Sequence, residues 1–173
     1  MIRTITLRYG FCFLLLLSLS STVGWNQYPD RSSRVILVSG ATGTQGGAVA
    51  RELVRRGYRV RGLSRTPDSE ASRELSALGV RMVRGNFDDA ASLDKALEGA
   101  YGTFSVQQYR GVGVDGEIRQ SKAFADASKR ANIQHFIYTS VAKATLGTGV
   151  PQFESKLEIE NYIRSLDMPY TIV

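Results

Sequence analysis

The chain has 173 residues, 43% hydrophobic and 22% charged, which suits one domain with a sizeable core and excludes a disordered protein. Its formal charge of +6 is spread along the chain among acids, as at Glu52-Leu53-Val54-Arg55-Arg56, so no nucleic-acid partner is expected, although a positive surface favours an anionic ligand. One cysteine, Cys12, and one histidine, His135, exclude disulfides, thiolate catalysis and Cys- or His-based metal sites from the folded part.

Residues 1–24 read as a signal peptide or membrane anchor. Arg3 and Arg8 form a positive n-region, Phe11 to Leu19 a short apolar run, and Ser20 to Gly24 a small, mostly polar stretch suited to cleavage. The apolar run is short for a span of about 20 residues, so any membrane contact is expected only through this segment. Export or tethering is the expected location. A cytoplasmic chain with an artefactual upstream start is the alternative. Residues 25–33 read as a polar linker, and 34–173 as the folded domain.

Val35-Ile36-Leu37-Val38 is a run of β-formers ending at a glycine turn, the pattern of a buried parallel strand. A helix follows over 44–56, with Val49, Leu53 and Val54 on one face and Gly57 as its stop. Further strands are expected over 59–63, 80–84, 101–106, 133–139 and from 170 onward. The intervening helices are expected over 70–78, 90–98, 116–131 and 152–166. The fourth of the five helices turns Ile118, Phe124 and Ala127 inward; the last turns Phe153, Leu157, Tyr162, Ile163 and Leu166 inward. Tyr138 belongs to the core. Strands and helices alternating through short connections require a parallel α/β sheet, and a doubly wound Rossmann sheet of order 3-2-1-4-5-6 is predicted.

The motif that carries chemistry follows the first strand: Gly40-Ala41-Thr42-Gly43-Thr44-Gln45-Gly46-Gly47. This is G-x-x-G-x-x-G at a strand–helix junction. Gly40 allows the turn, Gly43 a close approach of pyrophosphate to backbone, and Gly46 close packing of helix on sheet, while the helix N-terminus offers free N–H groups. Gly40, Thr42, Gly43, Thr44, Gln45 and Gly46 are therefore candidate cofactor contacts. Strand two ends in Ser64-Arg65-Thr66 with no acid at the turn, so a 2′-phosphate is expected there and NADP(H) over NAD(H). Arg61 is a weaker candidate for the same task. Asn86, with Phe87 beside it, is placed at the adenine, and Asp88 and Asp89 are read as helix caps. Val106 and Gln107 are placed beneath the ribose and nicotinamide.

These segments, with Gln134-His135-Phe136-Ile137-Tyr138-Thr139-Ser140 and Pro151-Gln152-Phe153-Glu154-Ser155-Lys156, follow in order a pattern that resembles the NmrA-like family of atypical short-chain dehydrogenases/reductases. The resemblance runs from Arg34 to Val173. It implies a Rossmann fold, NADP(H) binding, and either cofactor-sensing regulation, with a partner protein to receive the signal, or reduction of a carbonyl or quinone. Short-chain dehydrogenases use Tyr-x-x-x-Lys on the last helix with a serine from the preceding strand. Lys156 matches the lysine and Ser140 the serine, but Gln152 stands where the tyrosine belongs, and an amide is no general acid near neutral pH. The resemblance thus leaves Ser140 as a polarising hydroxyl and Lys156 at the ribose hydroxyls, with His135 structural. Glycine-rich loops at 107–115 and 143–151 are expected to be ordered by cofactor. Family members continue past the Pro-Tyr-Thr-Ile-Val strand into a substrate-binding region, so a C-terminally truncated domain is expected: a fragment, a shortened product or a remnant without function.

Overall fold

The computed structural model describes residues 30–142, 144 and 149–173. The leader at 1–24 and most of the linker lie outside the described residues, as does most of the loop at 143–150. Asp30 caps a single 3-10 turn, Arg31–Ser33, by accepting from the Ser32 N–H.

From there strands and helices alternate: β1 (Val35–Val38), α1 (Thr44–Arg55), β2 (Arg59–Ser64), α2 (Glu70–Ala77), β3 (Arg81–Arg84), α3 (Ala90–Leu97), β4 (Gly102–Ser105), α4 (Gly113–Arg130), β5 (His135–Tyr138), α5 (Pro151–Ser165) and β6 (Tyr170–Ile172). All five strand pairings are parallel and the order is β3-β2-β1-β4-β5-β6, the doubly wound Rossmann arrangement expected from the sequence. Each helix returns the chain across a face, so β1 and β4, neighbours in the sheet, diverge to helices on opposite sides and leave a crevice at their carboxyl ends.

Alternate residues of the strands feed two apolar layers. Leu37, Leu63, Phe136 and Tyr138 pack with Leu93, Leu97, Phe124, Ile159 and Ile163 of α3, α4 and α5. On the other face Val38, Val60 and Phe104 pack with Ala50 of α1 and Leu75 of α2. Phe124 is fully buried and meets Phe87 edge-on, with ring centroids 5.6 Å apart, and Phe136 at 6.1 Å.

Three helices differ in detail from the sequence reading. In α1 the fully buried positions are Gly46, Gly47 and Ala50, while Val49, Leu53 and Val54 are half-buried and pack against the same layer; Gly46 and Gly47 lie too close to the β1–α1 turn backbone for larger side chains. Helix α4 begins at Gly113, three residues early, and buries Glu117, Ser121 and Ser128 beside Phe124 and Ala127, with Ile118 half-buried. In α5 the inward face is Ser155, Lys156, Ile159, Glu160 and Ile163; Phe153, Leu157, Tyr162 and Leu166 are only half-buried. The first turns of this face cover a polar layer, which apolar periodicity does not reveal. Helices α4 and α5 end at Asn132 and Asp167 in the left-handed conformation (φ 51° and 49°).

Candidate functional site

The β1–α1 turn forms one wall of a cleft of about 600 Å³ at the carboxyl ends of the strands. Gly40 has φ +58°, and a Cβ there would stand 2.8 Å from Val106 Cγ1. A Cβ on Gly46 would run into the Gly40 carbonyl, so α1 approaches the turn only because that residue lacks a side chain. Gly43 N–H donates to the Gly40 carbonyl at 2.9 Å, and α1 starts at Gly43 without a side-chain cap, so its first-turn N–H groups remain available to an anion. Ser39, fully buried and unmarked in the sequence reading, ties this turn to the end of β4: its Oγ accepts from Val106 N–H at 2.8 Å and donates to Val106 O at 3.1 Å.

The opposite wall comes from the ends of β2 and β3. Ser64 is buried and its Oγ accepts from Thr66 N–H at 3.1 Å, which shapes the turn carrying Arg65. Arg84 of β3 donates to the Arg65 carbonyl at 2.9 Å, so the Arg65 backbone is held while its side chain stands exposed on the rim. Arg61 does not serve here. Its guanidinium donates to the carbonyls of Ala96 (2.9 Å) and Glu98 (2.6 Å) at the end of α3, where burial lowers its pKa. Asn86 Oδ1 accepts from Asp88 N–H at 3.2 Å, an Asx turn. Of the two aspartates only Asp89 caps α3, accepting from Ser92 N–H at 3.2 Å. Asp88 instead reaches across to α4, where Arg119 and Gln120 donate to it at 3.2 and 2.8 Å.

Gln107 closes the cleft at the end of β4. Its Oε1 accepts from Ser105 Oγ at 3.1 Å and Ser121 Oγ at 3.2 Å, and its Nε2 is buried with no hydrogen-bond partner among the described residues. A locked amide with an unused N–H is a donor awaiting an acceptor.

All thirteen residues proposed from the sequence for the cofactor, other than Lys156, line this one cleft: Gly40, Thr42, Gly43, Thr44, Gln45, Gly46, Ser64, Arg65, Thr66, Asn86, Phe87, Val106 and Gln107. The sequence reading missed Arg110 and Val112, which line it from the segment before α4, and Gln120 of α4 itself. Ser140 and Lys156 stand apart. Ser140 Oγ donates to Glu160, which also accepts from Arg164 Nη2 at 2.7 Å. Lys156 is neither exposed nor in the cleft lining: its ammonium pairs with Glu117 at 3.0 Å and lies 5.1 Å from the centre of the Tyr138 ring. The Tyr138 hydroxyl is fully buried, and burial together with the nearby Glu117 charge raises its pKa. The Tyr162 hydroxyl, pushed up to about 12 by its bond to the Asp126 carboxylate, is committed there at 2.6 Å. Among the described residues no group of acids, His or Cys is placed to hold a metal, and no helix is long and apolar enough to cross a membrane.

A six-stranded parallel sheet in this order, with a glycine-rich turn opening a cleft at its switch point, defines a Rossmann-type domain of the dinucleotide-binding class. The sequence profile of the NmrA-like family matches residues 32–173, and the chain belongs to that family. It is 35% identical over 144 residues to the NmrA-like family domain-containing oxidoreductase hkm9 of Aspergillus hancockii, an alignment covering 78% of this chain and 43% of the relative. The negative transcriptional regulator NmrA, solved with NADP and separately with NAD, superposes with a TM-score of 0.70 at 31% identity, over 80% of this chain and 44% of NmrA. Citrobacter sp. triphenylmethane reductase with NADP(H) superposes at 0.71 with 27% identity, over 79% and 48%. The chain spans less than half the length of these relatives.

Proposed function

We propose that the chain is the NADP(H)-binding part of an NmrA-like protein that senses its cofactor and signals to a partner protein, without Tyr-x-x-x-Lys chemistry. The observation that carries this reading is the single cleft that gathers the glycine turn, the Ser64-Arg65-Thr66 turn and the unpaired Gln107 amide. These residues fit a nicotinamide dinucleotide. Helix α1 packs against the glycine turn only because Gly46 has no Cβ, its uncapped N-terminus suits a pyrophosphate, and the Gln107 N–H lacks an acceptor among the described residues. Arg65, with Ser64 and Thr66 shaping its turn, would hold the 2′-phosphate; Asn86 and Phe87 would flank the adenine; Val106 and Gln107 would meet the ribose and nicotinamide. The regulatory role is supported by Gln152 in place of a tyrosine acid and by the commitment of Ser140 and Lys156 to Glu160 and Glu117.

The second reading is an NADPH-dependent oxidoreductase acting on a carbonyl or quinone. It is favoured by the oxidoreductase names of the relatives and by the reductase among the structural neighbours. Bound NADPH supplies a hydride donor, and a quinone takes hydride without a strong protein acid. The leader reading adds export or tethering, which cell fractionation tests: recovery in the soluble cytosol at full length would overturn it.

Calorimetric titration of the chain with NADPH and NADH, followed by a turnover screen with carbonyls and quinones, tests the function. Binding of NADPH at least tenfold tighter than NADH, a separation one charge-assisted contact supplies, without turnover supports the sensor. NADPH oxidation with a carbonyl or quinone makes the oxidoreductase reading correct. No binding to either cofactor by folded protein overturns both.

A further inference from the structure

A buried ion pair lies beside the cleft rather than in its lining. Between α4 and α5, Glu117 and Lys156 are 1% and 8% exposed and their charged groups are 3.0 Å apart. The other Glu117 oxygen accepts from Ser155 Oγ at 3.0 Å, and the Lys156 ammonium also donates to the Thr139 carbonyl at 3.4 Å. A buried pair of this kind is commonly less stabilising than apolar residues of equal volume. Ile159 and Ile163, on the same face of α5, show that apolar side chains fit between these helices. Stability is therefore a poor reason for the pair.

The pair is joined to the cleft by two routes. Thr139 donates through its N–H (3.0 Å) and Oγ1 (3.2 Å) to the Ser105 carbonyl, and Ser105 Oγ donates to Gln107 Oε1. One turn along α4 from Glu117, Ser121 Oγ donates to the same Gln107 oxygen. Both routes end on the amide of Gln107, a residue of the cleft lining whose buried N–H has no partner among the described residues.

We propose that Glu117 is a positioning residue for the nicotinamide end of the cleft: it holds the Lys156 ammonium at the end of β5 and so fixes the Thr139–Ser105–Gln107 chain that aims the Gln107 amide at the ligand. This rests on the reading that the cleft takes a nicotinamide dinucleotide. The assignment separates the two ends of that ligand, because the adenosine end sits on Arg65 and the glycine turn, which the pair does not touch.

The test is the affinity of the chain for NADPH and for adenosine 2′,5′-bisphosphate, which lacks the nicotinamide riboside, in the wild type, Glu117→Gln, Lys156→Met and the double variant. Each single variant is expected to bind NADPH about tenfold more weakly, a coupling usual for groups in contact, while the bisphosphate affinity stays unchanged. The double variant loses no more than the weaker single, because the two residues act as one unit. It also leaves no unpaired buried charge, which keeps the test available if a single variant does not fold. Equal weakening of both ligands, or NADPH binding unchanged in all variants, overturns the proposal. A wild type that binds neither ligand overturns the dinucleotide reading beneath it, a result distinct from a wild type that binds both.

Discussion

Arg65 is a residue whose task could be read from the chain, because an arginine replaces the acid expected at the end of β2. Its guanidinium stands exposed while Ser64 and Arg84 fix its backbone. Arg65→Ser should weaken NADPH binding by about 10- to 100-fold, the loss of one charge-assisted contact of about 1.5–3 kcal/mol, and leave NADH binding unchanged. Equal affinities of the variant and wild type for NADPH would place the 2′-phosphate elsewhere. Arg61, four residues earlier, shows the limit of such reading. Only the structure reveals that it closes the carbonyls of α3. Glu117 and Ser39 were illegible for a related reason. Each is a polar residue that the fold buries beside partners far along the chain, and no local spacing announces such a contact.

At the scale of elements, the glycine turn was legible because its requirements are local: a strand, a sharp turn and a helix pressed against it. Gly46→Ala should destabilise the chain and abolish NADPH binding together, since the new Cβ meets the Gly40 carbonyl; cofactor titration beside thermal unfolding checks it, and a variant that binds normally contradicts the packing. The α4–α5 contact was less legible, because its inward face mixes Ile159 and Ile163 with Lys156 and Glu160. Its outer edge is tied by Tyr162 and Asp126. The Tyr162 hydroxyl has a raised pKa, from 10.0 to about 12, so the bond contributes fully below pH 10 and is lost as pH rises towards 12. Tyr162→Phe should cost about 1 kcal/mol near neutral pH, with the difference from wild type shrinking between pH 10 and 12. Denaturant unfolding of both proteins across that range measures it; a pH-independent difference would assign the loss to packing.

For the whole molecule, the order of the sheet followed from alternation of strand and helix with short connections, which leaves few other ways to bury both faces. The meeting of four strand ends in one cleft is a consequence of that order, and it explains why residues from Gly40 to Gln107 line a common space. Ser140 and Lys156, which the sequence reading put at the same place, are not among the residues lining the cleft and bond to Glu160 and Glu117. The stability of the frame rests on the layer around Phe124. Phe124→Ala should cost about 3–5 kcal/mol, read by chemical denaturation, because it empties the contact between Phe87 and Phe136.

The central claim is that this cleft, and no other surface, takes the dinucleotide. The most direct measurement is a map of backbone amide chemical shifts before and after NADPH is added to saturation. The account predicts changes concentrated at Gly40 to Gly47, Ser64 to Thr66, Asn86 to Phe87 and Val106 to Gln107. Changes centred instead on the hollow outside α1, around Val49, Leu53 and Tyr58, or none in a folded sample, would contradict it.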